Sequence, residues 1–320
     1  MPTAKFWSIF LGSFLFTFLF PDKAGSQDID VFTHATKNVI SGFRRIYCPA
    51  LSDDEARACS STPIDVPGSW GFSASAAQTS TGPRIEITAG VAVTFDALAT
   101  VYIVSSEVTG KDSCFQAYAY QYAKLFFTNT NRISHGLAPQ KAENIIEFAT
   151  SHRAICDGID EDSAREAISD NSEFKARIVE AGLVFVLLHE LGHVVHRDIN
   201  SGPVELDVRR ERERKADLYA VRAASMAKQH LIIGMMPLFL AMIQGNSLDW
   251  ENNSDHPLGI RRAVEIGRAF RSEYQSNVGL RNSLPADQYA ELRRELDMSI
   301  DKMAGCLQKI DNGESTLTCE

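Results

Sequence analysis

The chain has 320 residues, of which 44% are hydrophobic and 23% are charged, a composition typical of globular proteins. This length suffices for one large domain or two smaller ones. The formal net charge of −9 leaves no basic field of the kind that binds nucleic acid, so no nucleic-acid partner is expected.

The first 26 residues have the pattern of a secretory signal peptide. An uncharged apolar run spans residues 6–20, and Ala24 and Ser26 occupy the small-residue positions of a cleavage site before Gln27. The run is shorter than the roughly 20 residues that cross a bilayer, although an uncleaved N-terminal anchor is the alternative. The sequence therefore predicts a secreted or periplasmic protein that loses residues 1–26 and whose mature chain, 27–320, has no membrane span.

All six cysteines follow the predicted cleavage point, and an even number in an exported chain predicts disulfide bonds. The sequence does not choose among the possible pairings. Pairing of neighbours would close short loops and is our prediction: Cys48 with Cys59, Cys114 with Cys156, and Cys306 with Cys319. No two cysteines have the Cys-x-x-Cys spacing, so a zinc or redox site built on cysteine is not expected.

In the first third of the chain, helix, loop and strand patterns follow one another. Residues 27–60 have the pattern of an amphipathic helix, whereas residues 59–83 are rich in Ser, Pro and Gly and predict a loop. The segment RIEITAGVAV (84–93) alternates and contains β-branched residues, which predicts a strand with a turn at Gly90. For the run 94–108, periodicity does not decide between strand and helix.

The middle of the chain is predicted to be helical. The helical pattern covers residues 112–170, with polar breaks at 128–139 and 157–162. Residues 171–197 form the most strongly helical segment, and their apolar side chains lie nearly all round the axis. Such a helix belongs in the middle of a core.

A break at residues 198–205 separates this segment from a second predicted helix that extends to about residue 230. The apolar run 231–243 contains Pro237 and is too short to cross a bilayer, so it is predicted to be buried core.

The central segment carries LLHELGHVVH (187–196), in which two histidines lie four residues apart. On a helix this spacing places His189 and His193 about 40° apart around the axis, so both imidazoles can reach one Zn²⁺ ion. Glu190 points about 100° away and can reach a water molecule on the metal, whose pKa zinc lowers to about 7. The alternative, two histidines satisfied within a core, would bury the Glu190 carboxylate without a partner, which is costly.

Two imidazoles do not complete a zinc site, and several acidic residues downstream could supply a third ligand. The candidates are Glu205, Asp207, Glu211 and Glu213. Glu213 is followed four residues later by Asp217, a carboxylate on the same helix face that could accept the second N–H of a zinc-bound histidine, and Glu213 is therefore the preferred candidate. A stripe of alanines continues this face, whereas a solvated surface rich in Arg and Glu is the alternative for residues 207–214.

HELGH (189–193) followed by ERKAD (213–217) resembles the gluzincin metallopeptidases of the HtpX and CAAX-prenyl-protease type, whose pattern is HExxH and then ExxxD. SDHPLGIRR (254–262) resembles the HP-x4-R segment of that family, with His256 and Arg262 at its defining positions.

The resemblance covers residues 171–265 and, more weakly, 84–105. The gap between His193 and Glu213 is shorter than is common in that family and is closer to that of the ImmA and Lit-like peptidases.

The resemblance implies an α+β, mainly helical fold: a zincin-like catalytic domain with an active-site helix and a small edge-strand sheet. Residues at about 106–170 would form a helical insertion. An extended substrate peptide would add to an edge strand, for which residues 84–89 are the candidate.

The expected activity is zinc-dependent hydrolysis of peptide bonds. His189, His193 and Glu213 would bind the metal and Glu190 would act as general base, with Asp217 and Arg262 as supporting residues. His256 could donate to the oxyanion, or it could be a loop histidine that fixes local structure.

Two other functions remain open, a zinc-binding scaffold without activity and a zinc hydrolase that does not act on peptides. The intact Glu190 argues against a scaffold, because a pure binder has no use for a general base. The chain has no phosphate-binding glycine loop and no serine nucleophile elbow that would indicate another hydrolase.

Overall fold

The computed structural model describes residues 29–110, 113–138, 140, 142–199, 204–230 and 259–313. Within these ranges the protein is mainly helical and has one three-stranded sheet, which confirms the predicted α+β class. The predicted signal peptide, the apolar run 231–243 and His256 lie outside the described residues.

The first part of the described chain forms the sheet and the helices around it. Its elements are α1 (Ile29–Ile46), a 3₁₀ turn (Cys48–Ala50), α2 (Asp53–Ser61), β1 (Ile64–Asp65), β2 (Ala74–Thr79), β3 (Gly82–Ile87) and α3 (Ala89–Val104), which continues as a π-helical segment (Ser105–Thr109).

The second part is helical throughout. Its elements are α4 (Ser113–Ser134), α5 (Ile145–Ser151), α6 (Glu161–Asp170), α7 (Ser172–His196), α8 (Leu206–Met226), α9 (Gly259–Ser276), α10 (Val278–Arg281) and α11 (Ala286–Asp311).

The sheet has the strand order β1-β3-β2, with β1 parallel and β2 antiparallel to β3. Residues 84–87 are therefore a strand, as predicted, but they lie in the centre of the sheet, so the prediction of an edge strand at 84–89 is wrong. The edge strands are β1 and β2, and both lie within the segment 59–83 that was predicted to be a loop. The sequence of β2, ASAAQT, has one β-branched residue, Thr79, and no aromatic residue, and pairing with β3 overrides this weak propensity.

Gly90 lies in the first turn of α3 and not in a separate turn, so that part of the prediction is also wrong. A Cβ atom at this position would come within 2.3 Å of the carbonyl oxygen of Gly71 and 2.4 Å of that of Trp70. The glycine therefore serves the close approach of the loop before β2 to the start of α3.

Helix α7 occupies the centre of the main hydrophobic core, as its apolar pattern predicts. It contacts α1, α3, α8 and the strands β2 and β3. Between α3 and α7, Lys175 Nζ lies 3.0 Å from Asp96 Oδ1, and both side chains are at most 10% exposed. A buried charge must be paired, so this ion pair fixes where the two helices meet.

The helices Ala89–Thr109 and Ser172–His196 are long and apolar enough to cross a membrane. This is weak evidence, because the greater part of each apolar window is buried within the fold and core helices share the same composition.

A second hydrophobic cluster is built by α4, α5 and α6 against the end of α3. The disulfide Cys114–Cys156 lies within it, and Cys48–Cys59 joins the 3₁₀ turn to α2 in the main core. These are two of the three pairs of neighbouring cysteines that the sequence predicts. Cys319 lies outside the described residues, and both its pairing with Cys306 and the insertion at 106–170 stay predictions.

Candidate metal centre

The two histidines of the HELGH segment project from one face of α7 near its C-terminal end. Their rings meet edge to face with centroids 4.9 Å apart, and their Nε2 atoms lie 3.2 Å from one another. His189 is 9% exposed and His193 13%, so both imidazoles are largely removed from solvent.

Glu213 on α8 completes the group. Its Oε2 lies 3.3 Å from Nε2 of His189, and its Oε1 lies 3.5 Å from Nε2 of His193. Each of these three residues can therefore offer one donor atom to a common point.

Close packing of α7 and α8 makes this approach possible. A Cβ atom at position 192 would lie 3.0 Å from the Cα of Ala216 and 3.3 Å from the Cβ of Tyr219. Gly192 faces α8 between the two histidines, and Ala216 and Ala220 are fully buried on the opposing side. The alanine stripe seen in the sequence is thus the contact face of α8.

The arrangement fits a tetrahedral zinc ion. Ligand atoms that lie about 2.0–2.1 Å from such an ion are about 3.3–3.4 Å apart. The separations among the three donor groups are 3.2, 3.3 and 3.5 Å. Nitrogen and carboxylate oxygen are also the donor types that zinc takes in proteins.

The outer nitrogen of each imidazole is held by a carboxylate. Nδ1 of His189 lies 2.8 Å from Oδ1 of Asp217, and Nδ1 of His193 lies 2.9 Å from Oδ1 of Asp198. Ionised carboxylates only accept hydrogen bonds, so both Nδ1 atoms carry the proton. In the neutral rings both Nε2 atoms then present lone pairs to the point between them and Glu213.

Asp217 is itself fixed by Arg262 on α9. The guanidinium donates from Nε to Oδ2 at 2.9 Å and from Nη2 to Oδ1 at 2.8 Å. Although burial raises the pKa of Asp217, the charge of Arg262 and the hydrogen bond from His189 outweigh it and lower the pKa to about 2. The structure therefore brings Asp217 and Arg262 to the site that the sequence assigned to them.

The surroundings of the imidazoles favour positive charge. Burial lowers the pKa of His189, but the hydrogen bonds that its protonated ring makes to Asp217 and Glu213 outweigh this effect and raise it to about 10. The pKa of His193 is raised as well, because the hydrogen bond from its protonated ring to Glu213 outweighs its burial. A cation at this point, whether a proton or a metal ion, is stabilised by the carboxylates around it.

Glu190 lies between α7 and strand β2 and is 7% exposed. Burial raises the pKa of its carboxyl group, and the two neighbouring imidazoles oppose that shift. The backbone N–H of Ala76 lies close enough to this carboxylate to lower its pKa. The hydrogen bonds of β3 show which way this N–H points. Ile85 donates to the carbonyl of Pro63 on the β1 side, so it makes no hydrogen bond to its partner on β2, Ala76. The backbone groups of Ala76 therefore face away from β3, toward the open edge of β2.

The other acidic candidates lie elsewhere. Glu205 is exposed at the N-cap of α8, Asp207 is exposed in its first turn, and Glu211 pairs with Arg214 on the same helix. His256 is outside the described residues, so its role stays a prediction.

Sequence reasoning missed Asp198 and Ala76. Asp198 lies five residues after His193, beyond the end of the helix, where the spacing rule for helix faces no longer applies. Ala76 acts through its backbone, which no side-chain motif reveals.

A family model, Peptidase U49, matches residues 139–278. The match includes HELGH, ERKAD and SDHPLGIRR, and it supports peptidase activity and a peptide or protein substrate. Peptidase U49 is distinct from the HtpX and CAAX-prenyl-protease type that the motifs resemble, so that finer assignment is not supported. No curated protein and no solved structure matches the chain.

Proposed function

We propose that the protein is a zinc-dependent endopeptidase. The observation that carries this proposal is the convergence of His189, His193 and Glu213, whose donor groups are 3.2–3.5 Å apart, beside a buried glutamate. The Peptidase U49 match supports the peptidase part of the proposal independently of this geometry.

Zinc, when bound, lowers the pKa of a water molecule to about 7 and polarises a carbonyl group. Glu190 is the catalytic base: its carboxylate accepts a proton from the attacking water and returns it to the nitrogen of the leaving amine. Asp217 holds the ring of His189, and Arg262 holds Asp217. Burial keeps bulk water away from these groups and strengthens their electrostatic interactions.

The substrate is an extended peptide that adds to the open edge of β2. Because Ala76 faces outward, its alternate neighbours Ala74 and Gln78 also direct their backbone N–H and C=O groups to this edge. Glu190 contacts the same edge through Ala76, so a peptide bound there would pass the catalytic base. This assignment replaces residues 84–89, which lie inside the sheet.

The protein acts in a secreted or periplasmic setting. The apolar run 6–20 followed by small residues supports export, and the disulfides Cys48–Cys59 and Cys114–Cys156 fit an oxidising compartment.

The test compares Glu190→Gln with Glu180→Gln in the purified mature chain. Glu180 lies on the same helix and is partly buried, so its replacement makes the same chemical change ten residues from the base. Glu190→Gln should keep bound zinc and lose peptide cleavage by about 10²–10⁴-fold, because the ligands stay and the proton acceptor is removed. Glu180→Gln should keep both.

Cleavage of a peptide library, with and without a chelator, and metal content by mass spectrometry provide the two readings. Cleavage by Glu190→Gln at the parent rate would contradict the mechanism. If the parent protein binds zinc tightly but neither it nor any variant cleaves a peptide, the result would favour the alternative function, a zinc-binding scaffold without activity.

A further inference from the structure

The contact between His193 and Asp198 is a second carboxylate–imidazole pair, separate from the one made by Asp217. Asp198 Oδ1 lies 2.9 Å from Nδ1 of His193, and the two side chains are 10% and 13% exposed. We propose that Asp198 is the positioning residue for His193: the carboxylate fixes the tautomer of the imidazole and directs its Nε2 at the metal. This inference rests on the proposed zinc site.

The end of α7 holds Asp198 in place. Arg197 adopts the left-handed conformation with φ 57°, which turns the chain back on the helix. The backbone N–H of Asp198 then donates to the carbonyl of His193 at 3.3 Å, so its backbone and its side chain both bind the same histidine. Arg212 on α8 donates from Nη1 to the carbonyl oxygen of Asp198 at 3.2 Å.

The tautomer decides whether His193 can bind a cation. While Asp198 accepts from Nδ1–H, Nε2 has a lone pair that points toward Nε2 of His189 and Oε1 of Glu213. Without the carboxylate, either nitrogen can carry the proton and the ring is free to turn. A ring with the proton on Nε2 has no lone pair for the metal, so affinity falls.

The two carboxylates hold the two imidazoles from different elements. Asp217 belongs to α8 and is braced by α9 through Arg262, whereas Asp198 follows α7 in the chain and is braced by α8 through Arg212. Each histidine of the HELGH segment therefore has its own support, and loss of one leaves the other intact.

The experiment measures the zinc dissociation constant of the full mature chain by competition with a chromophoric chelator. The variants are Asp198→Ala, Asp198→Asn and Asp207→Ala. Asp207 is the matched control, because it is an exposed aspartate that lines the same cavity of ≈ 440 Å³ as Asp198 but holds no histidine. The backbone contact from Asp198 to His193 survives in every variant, so the helix end is kept.

Asp198→Ala should weaken zinc binding by about 10–100-fold, the usual loss when the support of a metal-binding histidine is removed. Asp198→Asn should recover part of the loss, because its amide oxygen can still accept from Nδ1–H. Asp207→Ala should match the parent protein. If the alanine variant does not fold, the asparagine variant decides between the outcomes. A neutral amide is a weaker acceptor than a carboxylate, so this variant should bind zinc more weakly than the parent protein, and equal affinity overturns the inference.

Failure of the inference and failure of the proposed function give different results. If the parent binds zinc tightly and both Asp198 variants bind it equally well, the metal site stands and the positioning role is wrong. If the parent protein binds no zinc, the proposed function itself is wrong, and the inference falls with it.

Discussion

Replacing Glu213, Asp217 and Glu211 one at a time tests three different roles by their effect on zinc affinity. Glu213 is the proposed metal ligand, Asp217 holds a ligand histidine, and Glu211 does neither. The two oxygens of Glu213 lie 3.3 and 3.5 Å from the Nε2 atoms of the histidines. Glu213→Ala removes one of three donor groups. We therefore expect zinc affinity to fall by more than about 100-fold, beyond the usual range for losses outside the ligand sphere.

Asp217→Ala leaves all three donor groups but frees the ring that Asp217 holds at 2.8 Å. Such losses are about 10–100-fold, or about 1.4–2.7 kcal/mol of binding free energy. The change also leaves the guanidinium of Arg262 without its carboxylate, which costs up to about 3–5 kcal/mol of folding stability. If Asp217→Ala does not fold, Asp217→Asn takes its place in the comparison, because asparagine keeps the shape of the side chain.

Glu211 is the control, because it lies two residues from Glu213 and accepts hydrogen bonds from Arg214 with both its oxygens. Both side chains are over 40% exposed, so Glu211→Ala should change stability by less than about 0.5 kcal/mol and leave zinc binding as it is. Chelator competition on the three purified variants gives the order of their zinc affinities. A protein that keeps full zinc affinity without Glu213 but loses it without Glu211 would refute the reasoning.

Three further predictions concern the strand edge, a buried histidine and export. Ala76→Pro removes the N–H that favours the ionised form of Glu190 but no hydrogen bond to β3, so kcat should fall by about 10–100-fold with zinc content unchanged. Gln78→Pro on the same edge should keep more activity, and equal losses in both would contradict the role of Ala76.

Burial lowers the pKa of His230 to about 4 from its ordinary 6.5, so the unfolded chain binds the proton more tightly than the folded protein between these values. Stability from this group should be complete above pH 6.5 and fall by about 1.5 kcal/mol on going to pH 5, measured by urea unfolding; His230→Gln should lose this slope. N-terminal sequencing of the exported protein should find Gln27 or a close neighbour, whereas Met1 would indicate an uncleaved anchor.

The parts of the site that a regular helix dictates were predictable from the sequence. His189 and His193 share a face because they are four residues apart, and the same spacing joins Glu213 to Asp217. The length and apolar surface of α7 likewise predict its place in the core.

The parts that depend on tertiary contacts were not predictable in this way. Strand β2 exists because β3 pairs with it, although its alanines and serine have weak strand propensity. The run at 94–108 is buried nearly all round, which removes the alternation that would separate a strand from a helix; it forms most of α3 and its π-helical end. Asp198 reaches His193 only because Arg197 adopts a left-handed conformation.

The contact between Gly192 and Ala216 would limit the radius of the ion that the proposed zinc site can hold. It sets the distance between the helix that carries the two histidines and the helix that carries Glu213. With a methyl group at position 192, 3.0 Å from the Cα of Ala216, the helices would have to separate by a few tenths of an ångström. The ligand triangle would widen with them and would come to suit an ion with longer bonds than zinc. At the proposed zinc site, two residues that offer no ligand atom would thus take part in selecting the metal.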